Sequence, residues 1–328
     1  VKASVLRRVA LGLFSFLAAL PASAQEFALF GGASTARDLD ESTYAWKVEY
    51  RQGLGEHFEL SYSWLNEGHV TGHHRDGHAL QLRALQRFRD RRLSLGVGAG
   101  LMRYYDTVDS GSSRGYSNEH GFAGLFSLEA AAYAGNRWVA RLEANVAWAP
   151  PESTDAWNLL LGLGYQLTPP DEPGSRPWPE RQAEPATRNE VTAFVGQTVV
   201  NGFEGAKSLA WAVEYRRGLG RFFDVSMSYV HEGDSRLVRR DGFGLQGWLG
   251  RAFFNQRLSL GLGIGVYVAA DEYKEADAGG SRTIAGLITP SFSWRLGRRA
   301  LARISWNRMA SSYHRDTDVF LLGVGKRF

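Results

Sequence analysis

The chain has 328 residues, 38 of them basic and 34 acidic, and contains no cysteine. A disulfide-stapled fold is thereby excluded. Three of the positive charges, Lys2, Arg7 and Arg8, lie at the extreme N-terminus with no acid beside them; removing these three from the formal +4 leaves +1, a balance that gives no footing for nucleic-acid binding.

Those three cations precede an apolar run from Val9 to Leu20, then Pro21 and the small triplet Ala22-Ser23-Ala24. This is the pattern of a secretory signal peptide, expected over 1–24 and cut before Gln25. The apolar run is too short for a membrane helix, which needs about 20 residues. No second long apolar stretch occurs beyond it, so the mature chain is expected to leave the cytoplasm without a helical anchor.

From Gln25 onward the chain reads as a series of short amphipathic strands, near 26–33, 43–52, 57–66, 78–88, 92–105, 120–133, 137–148 and 157–167. In Phe58-Glu-Leu-Ser-Tyr-Ser-Trp64 the apolar side chains take one face and Glu59, Ser61 and Ser63 the other, because side chains alternate along a strand. The same alternation runs through Leu93 to Gly100 and Arg141 to Trp148, and again through Leu258 to Ile264 and Ala302 to Trp306. Even-numbered connections are brief (Gly53-Leu-Gly55, Arg89-Asp-Arg91, Gly135-Asn136), whereas the odd ones, near 33–42, 66–77, 107–119 and 149–156, are longer and polar. A proline-rich stretch over 168–188 reads as an extended linker. Beyond it the pattern resumes, with tight turns at Gly218-Leu-Gly220, Asn255-Gln256 and Gly297-Arg298 and longer loops near 200–207, 231–242, 270–282 and 310–316.

The second half repeats the first. Residues from about Tyr44 to Asp106 recur 165 positions later, Tyr44-Ala-Trp-Lys-Val-Glu-Tyr-Arg51 answering to Leu209-Ala-Trp-Ala-Val-Glu-Tyr-Arg216. Such a repeat marks a duplicated folding unit. Short turns at one end and long loops at the other identify an outer-membrane β-barrel, because only a closed sheet can cross lipid without unpaired backbone groups. Tyr44, Trp64, Tyr105, Trp148, Tyr165 and Trp294 fall near strand ends, where interfacial girdles form.

The final run Val319-Phe-Leu-Leu-Gly-Val-Gly-Lys-Arg-Phe328 resembles the terminal strand of bacterial outer-membrane barrels. That resemblance implies recognition of Phe328 by the barrel-assembly machinery. Lys326 stands where the pattern favours an aromatic, a slot held by Tyr165 in the first half. Each half, 25–167 and 189–328, resembles the OmpA-like class of small eight-stranded barrels. The fold class is thus all-β: sixteen transmembrane antiparallel strands in two homologous repeats, with two tandem barrels preferred to one wide barrel because of the surplus linker and the mixed charges of the lumen taken together.

Parity also phases the interior. Lys47, Glu49, Arg51, Glu59, Gln81, Arg83, Arg141, Glu143 and Asn145 are expected to face the bore of the first half, and Glu214, Arg216, Asp224, Gln246, Arg303 and Asn307 that of the second. In an eight-stranded barrel they must pair and fill the space. Inward Gly96, Gly98, Gly162 and Gly164 are expected to make room for them.

Other chemistry is sparse. His69, His73, His74 and His78 fall in one expected external loop and are weak metal candidates, since the second copy has none of them. The Arg-Asp-Gly retained at 75–77 and 240–242 reads as turn chemistry opening the fourth strand. Arg75, Arg236, Arg239 and Arg240 are weak candidates for lipopolysaccharide phosphates. The His-x-Ser pair of lipid A deacylases is missing from Val139–Ala147 and Leu301–Met309, and Ser311, Ser312 and His314 lack an evident buried carboxylate. The reading that results is an integral outer-membrane barrel, both termini periplasmic, with a structural or surface-recognition role and no enzyme activity, cofactor or nucleic-acid partner. Its partners would be outer-membrane lipid and lipopolysaccharide. The alternatives are a sixteen-stranded porin-like pore and, less favoured, a lipid A-modifying enzyme.

Overall fold

The computed structural model describes residues 25–110, 115–150, 153–168, 189–220, 222–235, 237–272 and 281–328. The expected signal peptide and, Thr168 apart, the expected linker lie outside the described residues, as does Arg236. The chain divides into two compact units.

Strands β1 (Gln25–Ala36), β2 (Glu41–Gly53), β3 (Phe58–Val70), β4 (His73–Phe88), β5 (Leu93–Asp109), β6 (Tyr116–Tyr133), β7 (Trp138–Trp148) and β8 (Ala156–Gln166) make the first barrel. The second consists of β9 (Asn189–Val200), β10 (Lys207–Gly218), β11 (Phe223–Asp234), β12 (Arg239–Phe253), β13 (Leu258–Glu272), β14 (Ser281–Arg295), β15 (Ala300–Ala310) and β16 (Thr317–Arg327). Neighbours in sequence are neighbours in the sheet, and each ring closes first strand to last, with Gly31 opposite Leu161 and Gly196 opposite Leu321. A single sixteen-stranded barrel is set aside because β1 is bonded to β8 and β9 to β16, which leaves no edge for a wider ring.

The outward rows are apolar and exposed. Leu101, Leu128 and Leu161 of the first barrel are 61%, 63% and 68% accessible, and Val324 of the second 68%. The inward rows are buried and largely polar. A water-soluble barrel has these faces reversed, so the outside is a surface made for hydrocarbon. At the end that carries the termini, each barrel's connections are four residues long. Arg89, Asp90 and Arg91 have φ of 48°, 52° and 67°, and Phe254, Asn255 and Gln256 have 50°, 54° and 66°. Two unlike tripeptides therefore adopt one backbone, as a duplication requires.

The opposite, loop end departs from expectation. The stretch 66–77 is mostly strand: β3 runs on to Val70 and β4 resumes at His73, with Val70 opposite His73 and only Thr71 and Gly72 between. Cross-strand pairing simply continues past the lipid-facing belt, because hairpin hydrogen bonds do not depend on the bilayer. Arg75-Asp76-Gly77 likewise lies inside β4 rather than in a turn.

The retained Glu-Gly pair explains itself here. Gly68 (φ 71°) and Gly233 (φ 78°) sit at register shifts in the β3–β4 and β11–β12 hairpins. A Cβ on either would come within 2.2 Å of the Tyr44 carbonyl oxygen or 2.3 Å of that of Leu209. Both the left-handed backbone and the close approach exclude a side chain. Gly68→Ala and Gly233→Ala are each expected to destabilise their own barrel by at least about 1–2 kcal/mol, read as a lower urea midpoint for the folded form in detergent.

Candidate functional site

The bores are the best-built polar sites in the molecule. All fifteen residues phased inward by parity are at most 7% exposed. Toward the terminal end of the first barrel all of its inward residues but Asn145, whose amide is buried without a partner, join one ion network. Glu49 takes Arg51 Nε at 2.7 Å and Arg83 Nη2 at 3.0 Å. Glu129, on the facing wall, takes Arg51 Nη1 at 2.7 Å, Arg83 Nη1 at 3.2 Å and Arg141 Nη1 at 2.6 Å. Glu143 bonds Lys47 and lies 3.1 Å from both Arg51 and Arg83. Arg141 also bonds Glu26, and Glu59 pairs with Arg87 at 3.3 Å. Five cations (Lys47, Arg51, Arg83, Arg87, Arg141) thus meet five carboxylates (Glu26, Glu49, Glu59, Glu129, Glu143). Mutual neutralisation is what permits such a cluster away from water.

Next along the bore comes an apolar layer of Phe30, Leu65, Met102, Tyr104, Leu125 and Leu160 with small alanines between them. The ammonium of Lys47 lies 4.1 Å from the Phe30 ring centroid and joins the two layers. Of the inward glycines, Gly98 and Gly164 do border arginines: a Cβ on Gly98 would lie 3.2 Å from Arg83 Cγ, and one on Gly164 3.6 Å from Arg141 Nε. Gly96 and Gly162 instead admit Leu85 and Phe30, so part of the room they make is filled by hydrocarbon.

The second bore solves the same problem with fewer charges. Arg303 reaches Glu214 at 2.7 Å and Glu190 at 2.5 Å, and Arg216 reaches Glu214 at 3.2 Å. Trp248 occupies the position 165 residues after Arg83. Its ring centroid lies 3.4 Å from the Arg216 guanidinium carbon, and its indole N–H donates to Ser226 at 2.8 Å. Gln246, Thr289 and Asn307 make a short chain of bonds at 2.9 and 2.8 Å. The cavity bordered by Glu190, Arg216, Asp224 and Arg303 holds about 10 Å³, room for one water at most. Phe194, Tyr267, Leu287, Met309, Val319 and Leu321 then form the apolar layer.

At the loop end each bore is capped. Arg75 is 3% exposed and bonds Glu67, with Ser153 Oγ at 3.0 Å, while Asn158 donates to Glu67 at 2.9 Å. Arg240, 1% exposed, reaches both Glu232 oxygens at 2.6 and 2.9 Å and the Tyr313 hydroxyl at 3.1 Å. The lipopolysaccharide role expected for Arg75 and Arg240 is therefore corrected: both guanidinia are buried and committed to carboxylates. Arg239 is exposed and stands opposite Asp234, and Arg236 lies outside the described residues.

The four histidines do not converge. His69 and His74 stack on the outer face with centroids 3.8 Å apart, His78 bonds the Tyr62 hydroxyl at 2.8 Å, and His73 bonds Asp106 at 3.0 Å. Alternation along the extended hairpin sends neighbours to opposite faces. Among the described residues no group of three or more potential ligands could hold a metal. The Asp106 hydrogen bond raises the pKa of His73, which lies past the lipid-facing belt. Ser153 also donates to Asp106, at 3.0 Å. The carboxylate therefore sits between serine and histidine, whereas a nucleophilic triad needs the imidazole in the middle. Ser311 is occupied as a loop cap, its Oγ accepting from Arg315 N at 2.8 Å.

Glu26, Glu67, Arg87, Glu129, Glu190, Glu232 and Trp248 escape a reading of the sequence by polar alternation in the clearest strands. For Glu129 the signal exists: outward Phe126 and Leu128 phase it inward. Trp248 is hidden by its chemistry, because an inward tryptophan looks like a girdle residue.

No family model matches the sequence, and no curated protein does. Among solved structures, the chain is similar to the N-terminal β-barrel domain of Pseudomonas aeruginosa OprF, at 15% identity over 44% of this chain and 98% of that one, with a TM-score of 0.35. Neisserial surface protein A (NspA) gives 12% identity over 43% and 96%, with a TM-score of 0.32. The NanC porin gives 8% identity over 92% and 100%, with a TM-score of 0.22. The decisive features are the chain's own: two closed rings, an apolar outside and a polar inside. The fold is that of a membrane-spanning β-barrel protein.

Glu129 ties three guanidinia together. Glu129→Ala is expected to cost about 3–5 kcal/mol, seen as a fall in the urea midpoint of the first barrel, whereas Ser291→Ala in the second bore changes stability by less than about 1 kcal/mol.

Proposed function

We propose that both barrels are closed to solutes and that the protein works as a structural or recognition element of the outer membrane through its loop end. The observation that carries this reading is the succession of filled layers in each bore: ion network or stacked Arg216–Trp248 plug, apolar layer, then Arg–Glu cap. Ions crossing them would have to separate buried pairs and pass hydrocarbon with no water to solvate them. The four-residue turns and both termini belong in the periplasm on this reading, after removal of 1–24, with Phe328 engaging the assembly machinery during insertion.

Refolded protein in a planar bilayer is expected to give no stable single-channel steps; sustained large steps would mean an open bore and would refute the proposal. The cysteine-free chain also allows the orientation to be read directly. A membrane-impermeant maleimide on intact cells should label Asp38→Cys at the loop end and spare Asn136→Cys in a terminal-end turn, and the reverse pattern would invert the topology.

A further inference from the structure

On the outside of the first barrel, β5 presents Leu95, Val97, Ala99 and Leu101 in turn to lipid, and the next outward side chain is Arg103. A cation placed directly after the last leucine of a lipid-facing row stands at the membrane–water boundary. Its guanidinium carbon lies 5.1 Å from the Phe122 ring centroid and 5.8 Å from that of Tyr105. Among the described residues it has no carboxylate and no hydrogen-bond acceptor. Beside it the rings of Tyr62, His78, Tyr105 and His120 run edge to edge or stacked from β3 to β6. The aromatic seat holds the guanidinium by its charge and leaves its N–H groups available to an acceptor.

The second barrel supplies the contrast. Its outward Arg308, just past the lipid-facing Ile304, also lies by an aromatic, 5.9 Å from the Trp306 ring, yet it is neutralised by Asp318 at 3.1 Å. The two arginines therefore differ in the anion and in exposure, Arg308 being 3% exposed and Arg103 only half-buried. For Arg103 that anion has to come from outside the protein, and at this depth the anions present are lipid head groups. A phosphate matches the guanidinium fork with two parallel hydrogen bonds and outcompetes water on charge.

We propose that Arg103, on its Phe122–Tyr105 seat, is a binding site for a lipid A phosphate. The choice of lipid A over glycerophospholipid rests on the orientation proposed above, which puts the loop end in the outer leaflet. That orientation is tested separately by maleimide labelling, so failure of one is distinguishable from failure of the other.

The test is a native mass-spectrometric titration of the refolded chain with lipid A. Arg103→Gln is expected to weaken retention about tenfold, and Arg103→Lys, which keeps the charge but loses the fork, by an intermediate amount. Phe122→Leu should weaken it as well with no change of charge. Unchanged retention in Arg103→Gln would overturn the proposal, as would phosphatidylglycerol binding as tightly as lipid A, or full displacement by millimolar inorganic phosphate. Should Arg103→Gln fail to fold, the wild-type chain decides the matter: dephosphorylated lipid A is expected to be lost, and equal retention of both forms overturns the assignment.

Discussion

An eight-stranded ring encloses too little space for water and side chains together, and everything inside this protein answers to that limit. Each inward charge must meet its opposite within the wall-to-wall distance of the bore or not be charged at all. Glu129 bonding Arg51, Arg83 and Arg141 is the plainest case: one carboxylate on β6 binds residues of β2, β4 and β7 and spans the bore. The network is less a source of net stability than a condition on which residues can coexist, since a buried pair gains little over hydrocarbon of equal volume while a broken one costs much.

The two copies show how far that condition leaves the sequence free. The cap is kept, Glu67 and Arg75 recurring as Glu232 and Arg240 beside a left-handed glycine that lets the hairpin bulge. The plug is not kept. Where the first barrel sets Arg83 among four other cations and five carboxylates, the second sets Trp248 against Arg216 and carries about half the charge. Both answers leave the interior packed, one through paired charges and the other largely through an aromatic ring on a guanidinium.

Much of this is legible in the residues. Alternation in Phe58–Trp64 and Arg141–Trp148 settles which side chains face lipid, and the unvarying brevity of one set of turns distinguishes the ends. The choice between one barrel and two is less so, because local pattern says nothing about which distant strand closes a ring; the surplus linker and the mixed signs of the inward residues only hint at it. The loop end misleads for a related reason. Polar, histidine-rich sequence between Asn66 and Gly77 reads as loop, yet backbone pairing carries the hairpin outward regardless of side-chain polarity. That extension buries Arg75 against Glu67 and scatters the histidines over two faces. Arg103 is not legible in the residues, because an outward arginine differs from any other surface cation only through its aromatic seat, and that seat joins two strands.

Ring closure is the claim on which the filled bores depend. The direct measurement is disulfide formation between engineered pairs in the otherwise cysteine-free chain. Leu29→Cys with Leu163→Cys should cross-link β1 to β8, and Val195→Cys with Leu322→Cys should cross-link β9 to β16, since each pair is directly opposed in the sheet. Failure of both, together with cross-linking of Leu29→Cys to Leu322→Cys, would mean a single wide ring and would contradict the account.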